Sequence, residues 1–231
     1  MENIRLVGER FWIEYISPNA WMNIEATSRQ ELRDAFVTEV MLKKGVLRGW
    51  SQVVLSLCKV IEREMGNVLF TKWINLIQES QFSIPSDASK RLRNRIQSRE
   101  VAFNTLKSCA TPPIHPPTLG QMVFISKFWN DEVMNKCTPL FTTINDKATL
   151  SCPNFVQTIQ ELTQFLDDTH QYNHENPTLV DLRNASAHPG REVDFTWNKH
   201  IPWLKALLGK PPKEALRVIN KLKVADPNRL S

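Results

Sequence analysis

The residues best suited to chemistry form one short segment near the C-terminal end, Arg183-Asn184-Ala185-Ser186-Ala187-His188. Arginine keeps its charge at physiological pH and can hold a phosphate through two hydrogen bonds. Histidine titrates near neutrality and can accept or donate a proton. Asn184 and His188 are four positions apart, so on a helix they share a face, which the long side chain of Arg183 can also reach. Arginine with histidine is a minimal set for metal-free cleavage of a phosphodiester.

A structural interpretation of the same segment is also open. Arg183 would lie on a solvated helix face, and His188 would cap the end of the helix before Pro189-Gly190. The chain has five histidines, and only His188 has an arginine five to seven positions before it. Asn184 directly after that arginine makes a chance match less common, but on these local grounds the chemical and the structural interpretations have about equal weight.

A basic run supplies a second feature that suits a polyanion. Between Lys43 and Lys107, Lys and Arg outnumber Asp and Glu by 12 to 5. Cations that cluster in this way attract nucleic acid in a salt-dependent manner, although a solvated helix face has the same pattern. The densest part holds the predicted RNA-binding residues Lys90, Arg91, Arg93, Arg95 and Arg99.

Length and composition restrict the class of protein. With 231 residues and 42% hydrophobic residues, the chain suits one folded domain, or one domain with an extension. It contains no apolar run long enough to cross a bilayer and no secretory signal pattern at its N-terminus, so we expect a cytoplasmic protein without a membrane partner. The four cysteines are widely spaced, which suits a reducing compartment and gives no zinc pattern.

Apolar residues recur at three- and four-residue spacing in nearly every segment, which predicts an all-α protein. The longest such pattern, 46–79, predicts a central buried helix, broken or bent near Gly66, with Glu62 and Glu64 in its middle. We expect 138–152 to be irregular apart from short helical turns. Thr118 is predicted to cap a helix that continues to Trp129. Further helices are predicted at 23–44, 86–108, 154–172, 178–188, 197–208 and 211–223.

An all-α chain with Arg-Asn-x-x-x-His near its final helices resembles the HEPN superfamily. Arg183, Asn184 and His188 fit the motif of that family, in which a polar residue follows the arginine and four to six residues separate the arginine from a histidine; here four residues separate them. The segment from Leu57 to Glu64 is similar to the early HEPN helix, whose acidic residue often faces the active site. Glu62 and Glu64 are both open as that residue. The HEPN toxins paired with a nucleotidyltransferase have a tyrosine two residues after the histidine, where this chain has Gly190.

The resemblance implies a fold, an activity and partners. It implies a HEPN-like helical domain over 46–223, preceded by an N-terminal helical extension at 1–45 and followed by a flexible tail at 224–231. Members with the full motif are mostly metal-independent ribonucleases of toxin–antitoxin and anti-phage systems, and they commonly act as homodimers. The implied partners are therefore RNA (tRNA or single-stranded RNA), a second copy and an antitoxin or sensor. No cofactor or metal ion is implied.

The mechanism implied is transesterification at an RNA phosphodiester. His188 would act as general base or acid, Arg183 would stabilise the phosphorane charge, and Asn184 would orient one of them. Glu62 or Glu64 would position Arg183 or raise the pKa of His188. The alternative is a non-catalytic HEPN-like adaptor that binds RNA or protein.

Further side chains near the motif have an open role. Three aromatic side chains are close enough in sequence to stack on bases, although core packing is the more common role for such residues. They are Tyr172, Trp197 and Trp203. His170 and His174 are spaced like metal ligands, but with no third ligand we interpret them as a polar helix end.

Overall fold

The computed structural model of the chain describes residues 2–167, 177–188, 197–209 and 215–225, and the statements below concern these residues. The described residues are all-α, with no strand element, which confirms the predicted fold class. None of these helices has the length and hydropathy needed to cross a bilayer. The helices are α1 (Glu2–Ile16), α2 (Pro18–Asn23), α3 (Ala26–Lys43), α4 (Ser51–Leu69), α5 (Ile74–Glu79), α6 (Lys90–Cys109), α7 (Leu119–Ser126), α8 (Glu132–Cys137), α9 (Leu140–Thr149), α10 (Phe155–Leu166), α11 (Leu179–Ala187), α12 (Trp197–Gly209) and α13 (Ala215–Leu222).

The chain forms two compact units. The first joins Met1–Glu64 with Gln164–Asn220, and the second joins Met65–Thr163 with the residues from Lys221 onward, as far as these ranges are described. This division does not follow the domain limits expected from the sequence at residues 45 and 223. Helices α1 to α3 belong to the same unit as the Arg183 segment, so the separate N-terminal extension stays a prediction. Residues 226–231 of the predicted tail lie outside the described residues.

In the first unit, α1 packs against α3 and α12 through an aromatic layer. Trp12 is fully buried and its indole Nε1 donates a hydrogen bond to the carbonyl oxygen of Leu32 at 2.8 Å. Phe11 stacks on Tyr15 in the same layer and also meets the ring of Phe36 on α3. An aromatic side chain contributes a large apolar area at a fixed geometry, so these contacts define how α1 lies on its neighbours.

A buried ion pair joins α3 to α12 in the same unit. The carboxylate of Glu39 is 2.5 Å from Nζ of Lys205 and 2.7 Å from Nζ of Lys43. Burial by itself would raise the pKa of Glu39, but the hydrogen bonds from Lys205 and Lys43 outweigh it and hold that pKa below its ordinary value. The ammonium of Lys205 also lies over the ring of Phe11, so its charge is compensated on two sides.

The predicted central helix at 46–79 is divided in the structure. Helix α4 ends at Leu69, a 3₁₀ turn covers Thr71–Trp73, and α5 follows. Gly66 stays inside α4, but its carbonyl oxygen accepts hydrogen bonds from the amide of Phe70 and from the hydroxyl of Thr71. The amide of Phe70 makes the regular helical bond to this carbonyl, and the hydroxyl of Thr71 adds a second bond to it, while Phe70 itself leaves the helical conformation with φ −128° and ψ −63°.

In the second unit, α6 packs against α5, α7 and α8, and α9 packs against α5 and α8. The prediction of an irregular segment at 138–152 is wrong, because Leu140–Thr149 forms the regular helix α9. Its residues Leu140, Phe141, Ile144 and Ala148 are buried at three- and four-residue spacing. The ring of Phe141 lies edge-to-face against the buried Trp129 at 5.1 Å between centroids, so tertiary packing stabilises this short helix.

Candidate functional site

The helix that carries the predicted motif begins at a well-defined cap. Thr178 is the N-cap of α11, and its hydroxyl accepts a hydrogen bond from the amide of Asp181 at 3.2 Å. The carboxylate of Asp181 accepts in return from the amide of Thr178 at 2.9 Å, which completes a capping box. Leu182 and Ala185 are buried, so the same helix leaves Asn184 exposed and Arg183 half-exposed. The cap and the apolar face together fix the direction of Arg183.

The motif histidine lies at the end of this helix rather than inside it. His188 is the C-cap of α11, with φ −126° and ψ 69°, and its amide donates to the carbonyl oxygen of Ala185 at 3.3 Å. Because His188 has left the helical conformation, its four-residue spacing from Asn184 no longer places the two side chains on one face. Both side chains are exposed, and neither makes a hydrogen bond or ion pair with the described residues. The capping position expected under the structural interpretation is therefore present.

The guanidinium of Arg183 meets the carboxylate of Glu62, which comes from α4, 121 positions earlier in the chain. Nε of Arg183 donates to Oε2 of Glu62 at 3.1 Å, and Nη2 donates to Oε1 at 3.4 Å. The two side chains are 23% and 21% exposed, so the pair lies at the edge of the unit. Nη1 of Arg183 makes no hydrogen bond with the described residues, which leaves one side of the fork open to a ligand.

Glu64, the other carboxylate left open by the sequence, has a structural role. It is fully buried, and Oε1 accepts a hydrogen bond from the backbone amide of Glu25 at 2.9 Å. Glu25 is the N-cap of α3, so Glu64 satisfies an amide at the start of that helix. A buried carboxylate needs such donors, because burying an unpaired charge is costly. Of the two acids, the structure therefore brings Glu62 to the motif.

A cysteine lies one helical turn before Glu62. Cys58 is fully buried, and burial raises the pKa of its thiol strongly. The negative charge of Glu62 raises that pKa further, and the nearby charge of Arg183 lowers it only in part. The thiol therefore keeps its proton at neutral pH, which makes it a poor nucleophile beside the ion pair.

Lys59 is a further candidate residue, which the sequence alone did not single out. It is exposed on α4, three positions before Glu62, so the two side chains share a helix face. This places a second cation on the face that carries the carboxylate partner of Arg183. The spacing from Glu62 was a usable signal, but it has meaning only once Glu62 rather than Glu64 is known to meet the motif.

The basic run forms the start of α6, in the second unit. Ser89 caps this helix by accepting from the amide of Leu92 at 3.3 Å. The first turn contains no acidic residue, so cations stand at the positive end of the helix dipole, where they destabilise the helix and an anion would stabilise it. Four of the five predicted RNA-binding residues are exposed there, namely Lys90, Arg91, Arg93 and Arg95.

Arg99, the fifth predicted RNA-binding residue, already has a structural partner. Its Nε and Nη2 donate to the two carboxylate oxygens of Asp131 at 3.1 and 2.7 Å. Its guanidinium also lies 4.7 Å from the ring centroid of Phe128. The hydrogen bond from Arg99 holds the pKa of Asp131 below its ordinary value. The charge of Arg99 is thus committed within the second unit.

The remaining predicted candidates add little to the site. Trp203 is half-buried on α12. His170, His174, Tyr172 and the side chain of Trp197 lie outside the described residues. Among the residues that are described, no group of three or more His, Cys, Asp or Glu is arranged to hold a metal ion.

No family model, no curated protein and no solved structure matches this chain. The HEPN resemblance therefore rests on the motif residues and on the helical fold, and it stays a prediction.

Proposed function

We propose that this protein is a metal-independent endoribonuclease of the HEPN type, acting as a toxin or effector in bacterial defence or in a toxin–antitoxin system. The contact between Glu62 and Arg183 is the observation that carries the proposal. The motif arginine and one of the two acids that the resemblance left open are 121 positions apart in the chain, and they meet at the edge of one unit. An exposed histidine, His188, lies at the end of the helix that holds Arg183.

In the proposed reaction, the 2′-hydroxyl of a ribose attacks the adjacent phosphorus. A histidine removes the proton from the 2′-oxygen as the new O–P bond forms, and a proton is delivered to the 5′-oxygen as the P–O5′ bond breaks. The products are a 2′,3′-cyclic phosphate and a 5′-hydroxyl. DNA is not a substrate because it lacks the 2′-hydroxyl. His188 is the proton carrier of this chain, and a homodimer would supply two such histidines to divide the two transfers.

Arg183 would stabilise the negative charge that develops on the phosphorane oxygens during the reaction. Nη1 is the nitrogen that Glu62 does not engage, and it would donate to a non-bridging oxygen of the phosphorane. Glu62 would hold the guanidinium in place, and Asn184 would donate to the phosphate or orient Arg183. Lys59 would add a second positive charge on the same face. RNA would reach the protein through Lys90, Arg91, Arg93 and Arg95, with single-stranded or loop RNA (tRNA included) favoured because its bases are accessible.

A non-catalytic adaptor that binds RNA or protein is a second candidate. The ion pair between Arg183 and Glu62 favours this candidate. A carboxylate that already neutralises the guanidinium weakens the attraction of Arg183 for a phosphate. The exposed His188, which has no hydrogen-bond partner among the described residues, favours the enzyme. Cytoplasmic localisation and a controlling antitoxin or sensor belong to the same proposal.

Cleavage of total RNA by the purified chain tests the proposal. We expect cleavage that persists in EDTA and is lost in His188→Ala at equal protein concentration. His115→Ala is the matched control, because His115 is also exposed but lies in the second unit. Arg33→Gln controls for Arg183→Gln, since Arg33 forms a similar half-exposed pair with Glu9 at 2.8 Å.

The controls decide how a negative result is understood. The Arg183→Gln variant should lose RNA cleavage and the Arg33→Gln variant should keep it. Both variants should unfold at similar urea concentrations, so the difference in activity would not come from stability. Equal activity in wild type and His188→Ala would contradict the proposal. If the wild-type chain is folded and binds RNA in a filter-binding assay but does not cleave it, the adaptor is favoured.

A further inference from the structure

The loop between α3 and α4 (residues 44–50) has a defined backbone. The amide of Gly45 donates to the carbonyl oxygen of Leu42 at 3.0 Å, and the amide of Val46 donates to that of Met41 at 2.9 Å. These two bonds form a Schellman motif, in which Gly45 takes the left-handed conformation with φ 70°. Gly49, at the other end, has φ 95°. Glycines at both ends therefore turn the chain out of α3 and back toward α4.

Two neighbouring aliphatic side chains are presented to solvent by this loop. Val46 is 61% exposed and Leu47 is 45% exposed. A Schellman motif commonly has an apolar residue at the position of Val46, which packs back onto the helix. In this loop that packing covers less than half of Val46, and Leu47 lies beyond the motif. The backbone bonds thus hold the two aliphatic side chains outward at a fixed place.

Cations surround this aliphatic pair. Lys44 and Arg48 are exposed on either side of it, and Lys43 is exposed at the end of α3, where it contacts Glu39. The sequence contains no acidic residue between Glu39 and Glu62. The loop is therefore positively charged at its base and apolar at its tip.

We propose that the α3–α4 loop is a contact for the surface of an anionic lipid bilayer. Val46 and Leu47 would enter the boundary between headgroups and acyl chains, while Lys44 and Arg48 would contact the lipid phosphates. A projecting loop of this kind needs no matching pocket, because the lipid interface is fluid. The proposal goes beyond the proposed nuclease and departs from the expectation of no membrane partner. A peripheral contact does not need a spanning helix.

An RNA partner explains this loop less well. Single-stranded RNA is held by cations together with aromatic rings on which bases stack, and the one aromatic residue of the loop, Trp50, is half-buried where α4 begins. Exposed aliphatic side chains would contribute little to such binding, whereas they contribute directly to burial in a bilayer.

Co-sedimentation with vesicles tests the proposal on the full, nucleic-acid-free chain. The probes are phosphatidylcholine vesicles and phosphatidylcholine vesicles with about one third phosphatidylserine. We expect binding to the anionic vesicles alone, weakened about tenfold in Val46→Ser/Leu47→Ser. In Lys44→Gln/Arg48→Gln we expect a loss of about fivefold per cation, which disappears at high salt.

Two matched variants separate the loop from general stickiness. Leu6→Ser/Val7→Ser removes an equally exposed aliphatic pair on α1, and Lys136→Gln/Lys221→Gln removes two exposed cations outside the loop and outside the basic run of α6. Both should bind the anionic vesicles as the wild type does, and circular dichroism checks that all variants stay folded.

The proposal is overturned if the wild-type chain ignores anionic vesicles or if the loop variants bind them unchanged. An equal loss in the Leu6/Val7 variant would also overturn it. If the loop variants lose RNA retention but not vesicle binding, the loop is a nucleic-acid contact instead. None of these readings depends on RNA cleavage, so failure of the nuclease proposal would leave the result interpretable.

Discussion

At the scale of single residues, the Glu62–Arg183 pair has to be explained by more than stability. A half-exposed ion pair contributes at most about 1 kcal/mol, because water screens the charges and both long side chains lose freedom. Arg33 and Glu9 form a pair of similar exposure in the same unit. Any effect of Glu62 on function that Glu9 does not share must therefore come from how Arg183 is held.

Glu62→Gln keeps an oxygen acceptor for Arg183 but removes the charge and one arm of the fork. We expect kcat for RNA cleavage to fall about ten- to hundredfold, because a misplaced guanidinium stabilises the phosphorane poorly. KM should change by no more than about twofold, since binding relies on other cations. Steady-state kinetics on a short RNA would measure both. Glu9→Gln is the control, and an equal loss of kcat there would mean that the effect is structural.

The buried thiol of Cys58 predicts how stability depends on alkaline pH. Its pKa is raised in the folded state, so above about pH 8.5 the unfolded chain releases a proton that the folded chain keeps. The free energy of unfolding should therefore fall with pH, by up to about 1.4 kcal/mol per pH unit for this one thiol. Urea unfolding between pH 8 and pH 10 would measure the slope. Burial also raises the pKa of the other three cysteines, so Cys58→Ala should make the slope less steep without abolishing it, and an unchanged slope in that variant would contradict the assignment.

At the scale of helices, local signals were enough to predict the caps but not the breaks. Thr118 begins α7, as predicted, because its hydroxyl and Gln121 act within four residues, but the helix ends at Ser126 rather than at Trp129. The end of α4 at Leu69 coincides with the non-helical backbone of Phe70, which periodicity does not reveal. Helix α9 depends on the packing of Phe141 against Trp129, a contact that no local pattern encodes.

The close approach of α12 to α1 gives a test at the same scale. A Cβ atom at Gly209 would collide with Cγ2 of Ile16 and lie 3.1 Å from the carbonyl oxygen of Tyr15. Gly209→Ala should therefore lower the free energy of unfolding by about 1–3 kcal/mol, because backbone must move to make room. Thermal unfolding followed by circular dichroism would measure the loss.

Gly66→Ala is the matched control for Gly209→Ala. Gly66 is also a helical glycine, but a Cβ atom there would meet only the side chain of Pro116, at 3.2 Å. The gain in helix propensity, about 1 kcal/mol, should offset that milder contact. If Gly209→Ala were as stable as Gly66→Ala, the approach of α12 to Ile16 would be looser than described.

At the scale of the whole molecule, the candidate residues belong to distant parts of the chain and to two separate units. Glu62 and Arg183 belong to the first unit, and the basic run belongs to the second. The sequence indicated Arg183, Asn184 and His188 as site residues because they lie within one segment of six residues. It left Glu62 and Glu64 open, since only the folded chain separates a carboxylate that meets Arg183 from one that holds the amide of Glu25.

The charge distribution leads to a prediction about RNA binding by the complete chain. Each phosphate contact with single-stranded RNA contributes about 0.7 to the slope of log K against log salt. Replacing all four exposed cations of α6 by glutamine should reduce that slope by about 3, and it should not destabilise a helix whose N-terminus they oppose. Filter binding in a His188→Ala background, where RNA is not cut, would measure the slope. The replaced residues are Lys90, Arg91, Arg93 and Arg95.

Arg99→Gln is the discriminating comparison for this slope. Because the charge of Arg99 is held by Asp131, its loss should leave the slope nearly unchanged but lower the free energy of unfolding. Asp131, whose pKa is depressed by that contact, would then titrate closer to its ordinary value. If Arg99→Gln alone reduced the slope as much as the quadruple variant does, RNA would have to displace Asp131 from Arg99. If the quadruple variant kept the wild-type slope, α6 would not be part of the RNA-binding surface. The binding site for RNA would then have to be sought beside Lys59 and Arg183 in the first unit.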